Sequence, residues 1–446
     1  MTYENIKTVI LVILVGSSVL FTWNLWTFQP HLDPIEPSSM ADHPIGTEKE
    51  IKEVVKPYQI MNVFENDKLV GTMHSSEMDG VIKEISGWTY EKIEDISNSI
   101  NDIPSFLMKE GHSMILFPDE VPFELYRNVL KVVDKESPNF NFDTIVIDSN
   151  DTNEEFGFVY FLSRSNHQVF RGEIDASFLQ EYKNNQYTAS ASSENFAEFD
   201  FILGENNKPI YLPVEGLTLN KWMYLPEDID ADRLMKSLFS EPSVVQRSVQ
   251  SSTKEYTDST SIMRVYGDRN LISFKNLSVG TDRMMESNPL LRRSIDYIND
   301  HGGWTGNYRF FSMDPERDQV VFRLYHSAGY PIFSDSAISK IKLEWGQNAI
   351  NEYERGDFSL DTLISDEAAE PLPSGVEVVN LLKRMPGFDI NKLQDVTVGY
   401  KMSKDQVSKQ EGVNSNSPDV ISLEPKWYYR YNNEWKMFSQ EDFFNE

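Results

Sequence analysis

Two stretches have the Ser-x-x-Lys spacing by which penicillin-binding and β-lactamase-like sites activate a serine, Ser251 to Lys254 and Ser339 to Lys342. Such a site also needs Ser-Asp-Asn and Lys-Thr-Gly partners, and neither tripeptide occurs. His301-Gly302-Gly303 has the pattern of an oxyanion-hole loop, but the Gly-x-Ser-x-Gly turn that would hold a serine opposite it is absent. The glycines read more simply as a helix stop. Asp228, Asp230 and Asp232 have the odd-position spacing of a calcium loop, yet Arg233 stands where that loop turns on Gly and Phe239 where it needs a bidentate Glu. These acids instead suit the positive end of the helix that follows. The histidines at 31, 43, 74, 112, 167, 301 and 326 form neither His-x-x-x-His nor His-Glu-x-x-His. Paired carboxylates for sugar hydrolysis have no specific support, since 70 acidic residues always offer some pair. The expectation is no catalytic residue, no metal and no cofactor: not an enzyme.

Any functional group must be positioned by a chain of 446 residues with 70 acidic and 41 basic side chains, a formal charge of -29. That balance argues against nucleic acid or anionic lipid as partner and suits the solubility of a surface domain. Hydrophobic residues make up 40% of the chain, enough for real cores. There is no cysteine, so disulfides and thiolate sites are unavailable, which favours a bacterial surface protein.

From Thr8 to Phe28 no residue is charged, and Val9 to Val15 are aliphatic throughout. At about 1.5 Å per helical residue this run spans roughly 30 Å, the hydrocarbon thickness of a bilayer. Tyr3 precedes it, and Trp23, Trp26 and Phe28 crowd its far end, where amphipathic rings favour the headgroup level. Lys7 abuts the run, whereas Gln29 to Glu48 holds no Lys or Arg, so the N-terminus is expected inside and the bulk of the chain outside. A cleaved signal peptide is the alternative. Its best cleavage site, Ser39-Met40-Ala41, lies more than ten residues past the apolar run.

The expected layout is a cytoplasmic stub (1–7), a transmembrane helix (8–28), a proline-broken tether (29–48) and about three outer domains (49–187, 194–303 and 304–446). The small polar run Thr188 to Ser193 reads as a linker. Apolar spacing of three and four predicts helices over Tyr90–Ile100, Phe123–Val133, Ala231–Phe239, Pro289–Ile298 and Val376–Met385. Hairpins are predicted for Met61–Thr72, Phe156–Ile174 and Trp427–Phe438 across polar turns. Two more, Phe199–Leu203 with Pro209–Tyr211 and Val321–Tyr325 with Pro331–Phe333, share a Pro-Ile-aromatic step that hints at duplication. Helices mixed with antiparallel hairpins make an α+β fold.

About seven cytoplasmic residues are too few for a signalling domain, so a message from outside can cross only through helix contacts within the membrane. Gly16, Ser17, Ser18, Thr22 and Asn24 are the small or polar residues that bring helices together in lipid, and they are the candidate partner-binding positions.

Ile262 to Asp268, then Met284 to Glu286 with Asn288-Pro289, and the run IDYINDHGGW from Ile295 to Trp304 resemble the YycH family of low-GC Gram-positive bacteria. FRLYHSAGYPIF from Phe322 to Phe333 and KWYY from Lys426 to Tyr429 resemble it too. The resemblance implies a non-enzymatic accessory protein that modulates the WalK (YycG) sensor histidine kinase of the WalK–WalR system, linked to cell-wall metabolism. It further implies a related anchored partner of the YycI type and no family catalytic residues. The competing reading is a membrane-anchored outer-surface hydrolase or binder of cell-wall polymer. The segment from Lys49 onward is expected to fold alone as a soluble acidic protein. Circular dichroism of a chain lacking residues 1–48 checks this, and an unfolded or insoluble product rules it out.

Overall fold

The computed structural model describes residues 11, 14–23, 33–34, 44–134, 138–152, 155–280, 286–347, 349–369, 371–406 and 419–439. It is an α+β protein built on three largely antiparallel sheets of ten, nine and six strands. Residues 14–23 are helical and exposed apart from the half-buried Ser17. Among the described residues no helix is long and apolar enough to cross a membrane. Residues 8–10, 12–13 and 24–28 of the expected span lie outside the described set.

In the first sheet the strands Gln59–Val63 and Leu69–Thr72 are buried along their whole length. The cause is cover on both faces. Ile60, Ile115, Ile145 and Phe161 point to one core under the helix Ser75–Ile85, while Met61, Met114, Val146 and Leu162 point to another under the helix Ile103–Leu107. The second sheet is covered by the helices Ala231–Leu238 and Ser287–Asp300, the latter burying Leu290, Leu291, Ile295 and Ile298. The third joins Leu393–Gln406 and Asp419–Tyr431 to Asn220–Asp228 and Phe358–Ala368. Its helix, Gly375–Leu382, is capped by Ser374. One apolar cluster runs through all three units, from Val54 through Phe274 to Leu423.

Sheet membership does not follow chain order. The hairpin Ala197–Leu203 with Pro209–Pro213 completes the first sheet, and Asn220–Asp228 enters the third, so pairing crosses both cuts read from composition. The run read as a linker is helical at Thr188–Ser190. Buried Ser190 accepts a hydrogen bond from Asn62 Nδ2 at 2.8 Å and donates to the Tyr187 carbonyl.

The helices Ala231–Leu238, Ser287–Asp300 and Gly375–Leu382 and four of the five hairpins stand as expected. Tyr90–Ile100 does not: it holds the strand Thr89–Asp95. Lys92 takes a positive φ and the register shifts between Glu91 and Glu94, so an irregular strand mimics helical spacing. Phe123–Val133 keeps its helix only to Tyr126, because Lys131–Val132 pairs with Thr89–Tyr90. The fifth hairpin is reduced to a single antiparallel bridge between Tyr325 and Pro331. Gln319–Leu324 pairs with Lys340–Trp345, whereas Ile332–Phe333 leaves for the third sheet, so the Pro-Ile-aromatic likeness marks no repeat.

The Gly302-Gly303-Trp304 turn is structural, as read. The two glycines have φ of 103° and 79°, a region that costs other residues strain. Trp304 is 2% exposed and meets Phe322 edge to face at 5.0 Å. Trp304→Ala is expected to cost about 3–5 kcal/mol, as for other aromatic-to-alanine core changes. A differential scanning calorimetry melt unchanged from the parent would contradict this packing.

Candidate functional site: two joints between the units

The residues first considered for catalysis do not converge. Ser251 sits at a hairpin turn with positive φ, Ser339 bonds Ser334 in a local turn, and Lys342 lies between Glu344 and Glu352. His301 stacks on Tyr297 and bonds its carbonyl. Asp230 caps its helix by accepting from the Asp232 and Arg233 amides, the role its position suggested. Among the described residues no group of three or more His, Asp or Glu is placed to hold a metal.

Of the membrane-helix positions, Gly16, Ser17, Ser18 and Thr22 lie on the helix over 14–23, and Asn24 lies outside the described residues. Ser17 Oγ donates to the Leu14 carbonyl at 3.0 Å and Thr22 Oγ1 to that of Ser18 at 2.8 Å. Both hydroxyls are therefore satisfied within their own helix. An added Cβ at Gly16 finds no neighbour within 4 Å.

What the folded part offers is two joints, each built on a stretch of the family-like sequence. The first lies at the end of the helix Ser287–Asp300. There the chain arriving from the tether is bound before it enters the first sheet. Gly46 N–H donates to the Gly302 carbonyl at 2.8 Å, and Thr47 and Trp304 exchange both backbone bonds at 3.1 and 2.9 Å. Asn299 completes the joint. Its Oδ1 accepts from Lys49 N–H at 3.0 Å and from Trp304 Nε1 at 2.7 Å, and its Nδ2 donates to the Lys49 carbonyl at 3.1 Å. Lys49 Nζ reaches the Gly306 carbonyl at 2.7 Å. Burial pushes this ammonium down to about 8 despite nearby Glu53. Behind the turn, fully buried Arg355 donates to the Gly303 carbonyl, Tyr353 Oη and Thr305 Oγ1. A cleft of about 580 Å³ borders the joint, lined among others by Lys49, Asp230, Arg233 and Asp361.

The second joint is the turn His326–Gly329, where the three sheets meet. Its strand, Gln319–Leu324, belongs to the second sheet, its return segment Ile332–Phe333 pairs with Tyr400–Lys401 of the third, and the Ala328 carbonyl accepts from Ser75 N–H at the start of the helix over the first. His326 packs against Trp222 at 4.6 Å and Tyr400 at 5.1 Å, and burial pushes its imidazole down to about 4. It is therefore neutral at physiological pH. With Nδ1 accepting from Ala328 N–H at 3.2 Å, the ring proton sits on Nε2 and is donated to Tyr224 Oη at 3.1 Å. Phe333 stacks on Tyr428 at 3.9 Å, so the KWYY stretch closes the same joint.

The family models for the YycH protein's N-terminal and C-terminal domains match residues 4–189 and 207–442. The chain belongs to the YycH family. It is 24% identical over 449 residues to the two-component system WalR/WalK regulatory protein YycH of Bacillus subtilis (strain 168), covering 97% of this chain and 95% of that protein. The crystal structure of YycH from Bacillus subtilis superposes with a TM-score of 0.71 at 21% identity, over 90% of this chain and 100% of the other, which establishes the fold.

Neither joint was read as such from sequence. Asn299 and His326 lie within family-like stretches, but their partners are remote: Lys49 is 250 residues from Asn299, and Tyr224 is 102 residues from His326. Buried charge is also paired within the first sheet's unit. Asp143 is held ionised by Arg164 at 3.0 Å and Lys208 at 3.3 Å, which outweigh its burial. Beside it, burial and the Asp143 charge push Glu120 from near 4.5 up to about 8. Asp119 accepts from Met313 N–H across the interface of the first and second sheets.

Because Glu120 has a raised folded pKa, its contribution is fully present below about 4.5 and is lost as pH rises through about 8. Asp143 has a lowered one and loses its contribution only as pH falls below about 3.8. Thermal melts from pH 5 to pH 8.5 are expected to show the parent losing stability relative to Glu120→Gln as pH rises. A pH-independent gap between the two would contradict a proton held at Glu120.

Proposed function

We propose that this protein is a membrane-anchored regulator of a WalK-type sensor histidine kinase, acting beside a YycI-like anchored partner. The observation that carries the reading is likeness along nearly the whole chain to a WalR/WalK regulatory protein. The family is regulatory, not enzymatic, which accords with a folded part whose distinctive residues are joints between units. In this reading the N-terminus is cytoplasmic, residues 8–28 cross the membrane once, and the three-sheet body lies outside.

The partner surface within the membrane is Gly16, Ser17, Ser18, Thr22 and Asn24. Gly16 supports it most directly, since its bare backbone allows close helix approach. The outer body adds contacts of its own. An accessory of this kind works by binding one state of the kinase better than the other. A preference of roughly 1–3 kcal/mol changes signalling several-fold or more.

Exchanging Thr8 to Phe28 for an unrelated apolar helix of equal length and orientation should preserve export and abundance while abolishing the effect on a WalR-dependent promoter. The membrane kinase should also cease to copurify. Regulation that survives at equal protein level would move the contact to the outer body.

A further inference from the structure

The order of attachment in space differs from the order of the sequence. Leaving the tether, the chain comes first in sequence to the unit of the first sheet, whose opening strand is Gln59–Val63. Before reaching it, the chain is bound at 46, 47 and 49 to residues 299–306 of the second unit. We propose that residues 44–50 form a clasp making the second sheet the unit that carries the tether, with Gly46, Lys49 and Asn299 as its positioning residues. A movement of the second sheet is then delivered to the membrane side of the chain, whereas a movement of the first sheet alone is not.

Three observations support a clasp over a casual contact. The backbone bonds of 46 and 47 are supplemented by a side chain whose amide is fully used on this task, since each Asn299 polar atom has a partner in Lys49 or Trp304. The approach is too close for side chains: a Cβ on Gly46 would overlap the Trp304 carbonyl, and one on Gly303 would crowd the Gly46 and Thr47 backbone. Upstream, Asp33–Pro34 pairs with Gln246 and Arg247 at the edge of that same second sheet. Downstream, the clasp runs into the helix Ile51–Val54, where Glu50 and Glu53 cap each other and Val54 is buried.

The consequence for signalling rests on the regulatory reading, but the clasp itself does not. Hydrogen exchange of the full chain in lipid nanodiscs tests it. Residues 44–50 should be protected in the parent, and Gly46→Val should speed their exchange about tenfold or more while leaving the first-sheet strands unchanged. Lys49→Met, which removes the bond to Gly306, should give a smaller change in the same place. Unprotected exchange of 44–50 in the parent overturns the clasp. In cells, Gly46→Val at normal abundance should reduce regulation of the WalR-dependent promoter towards that of a strain lacking the protein. Full regulation in a variant shown to be released overturns the coupling. A parent without any effect on the promoter would refute the regulatory reading, with the clasp then decided by exchange alone.

Discussion

A buried turn must find partners for its N–H and C=O groups, and where residues 46–49 cross Gly302-Gly303-Trp304 this requirement governs the arrangement. Two chain segments can lie this close only where side chains are missing, and two glycines at positive φ supply the turn. Asn299 then accepts and donates in one plane, taking both polar groups of Lys49 and the indole N–H of Trp304. Arg355 holds the far side of the turn through its carbonyl. Loosening residues 46 and 47 leaves backbone groups of the buried Gly302 and Trp304 without partners, which costs more than the bond itself was worth.

The three units are joined for a related reason. They share one apolar cluster, and polar groups at the seams are matched across units. The Met313 amide stands against Asp119 and Gln394 against Glu205, while Asp143 is matched by Arg164 and Lys208 within the first unit. Neutral His326 fits the same logic, since an imidazole packed between Trp222 and Tyr400 avoids the cost of a buried charge.

Three of the stretches that resemble the YycH family lie at the joints. IDYINDHGGW ends at the tether crossing, FRLYHSAGYPIF turns where three sheets meet, and the KWYY tyrosine Tyr428 stacks on Phe333. Residues at joints answer to several neighbours at once, so few substitutions satisfy them all.

Much of the local structure was legible from the chain alone. Apolar spacing with caps located the helices Ala231–Leu238, Ser287–Asp300 and Gly375–Leu382, and paired polar turns such as Asn66-Asp67 and Asn432-Asn433 located hairpins, because those signals act within a few residues. The α+β class and the structural role of Gly302 to Trp304 followed from the same short-range rules. Tertiary structure alone decided that Thr89–Asp95 is a strand with a bulge, that Ile332–Phe333 leaves its neighbour for another sheet, and that Thr188–Ser190 is anchored by Asn62. It alone paired Lys49 with Asn299 and His326 with Tyr224. Those choices belong to partners remote in sequence, such as Tyr400 for Ile332 and Asn299 for Lys49, and no periodicity within a segment records which distant surface will bury it.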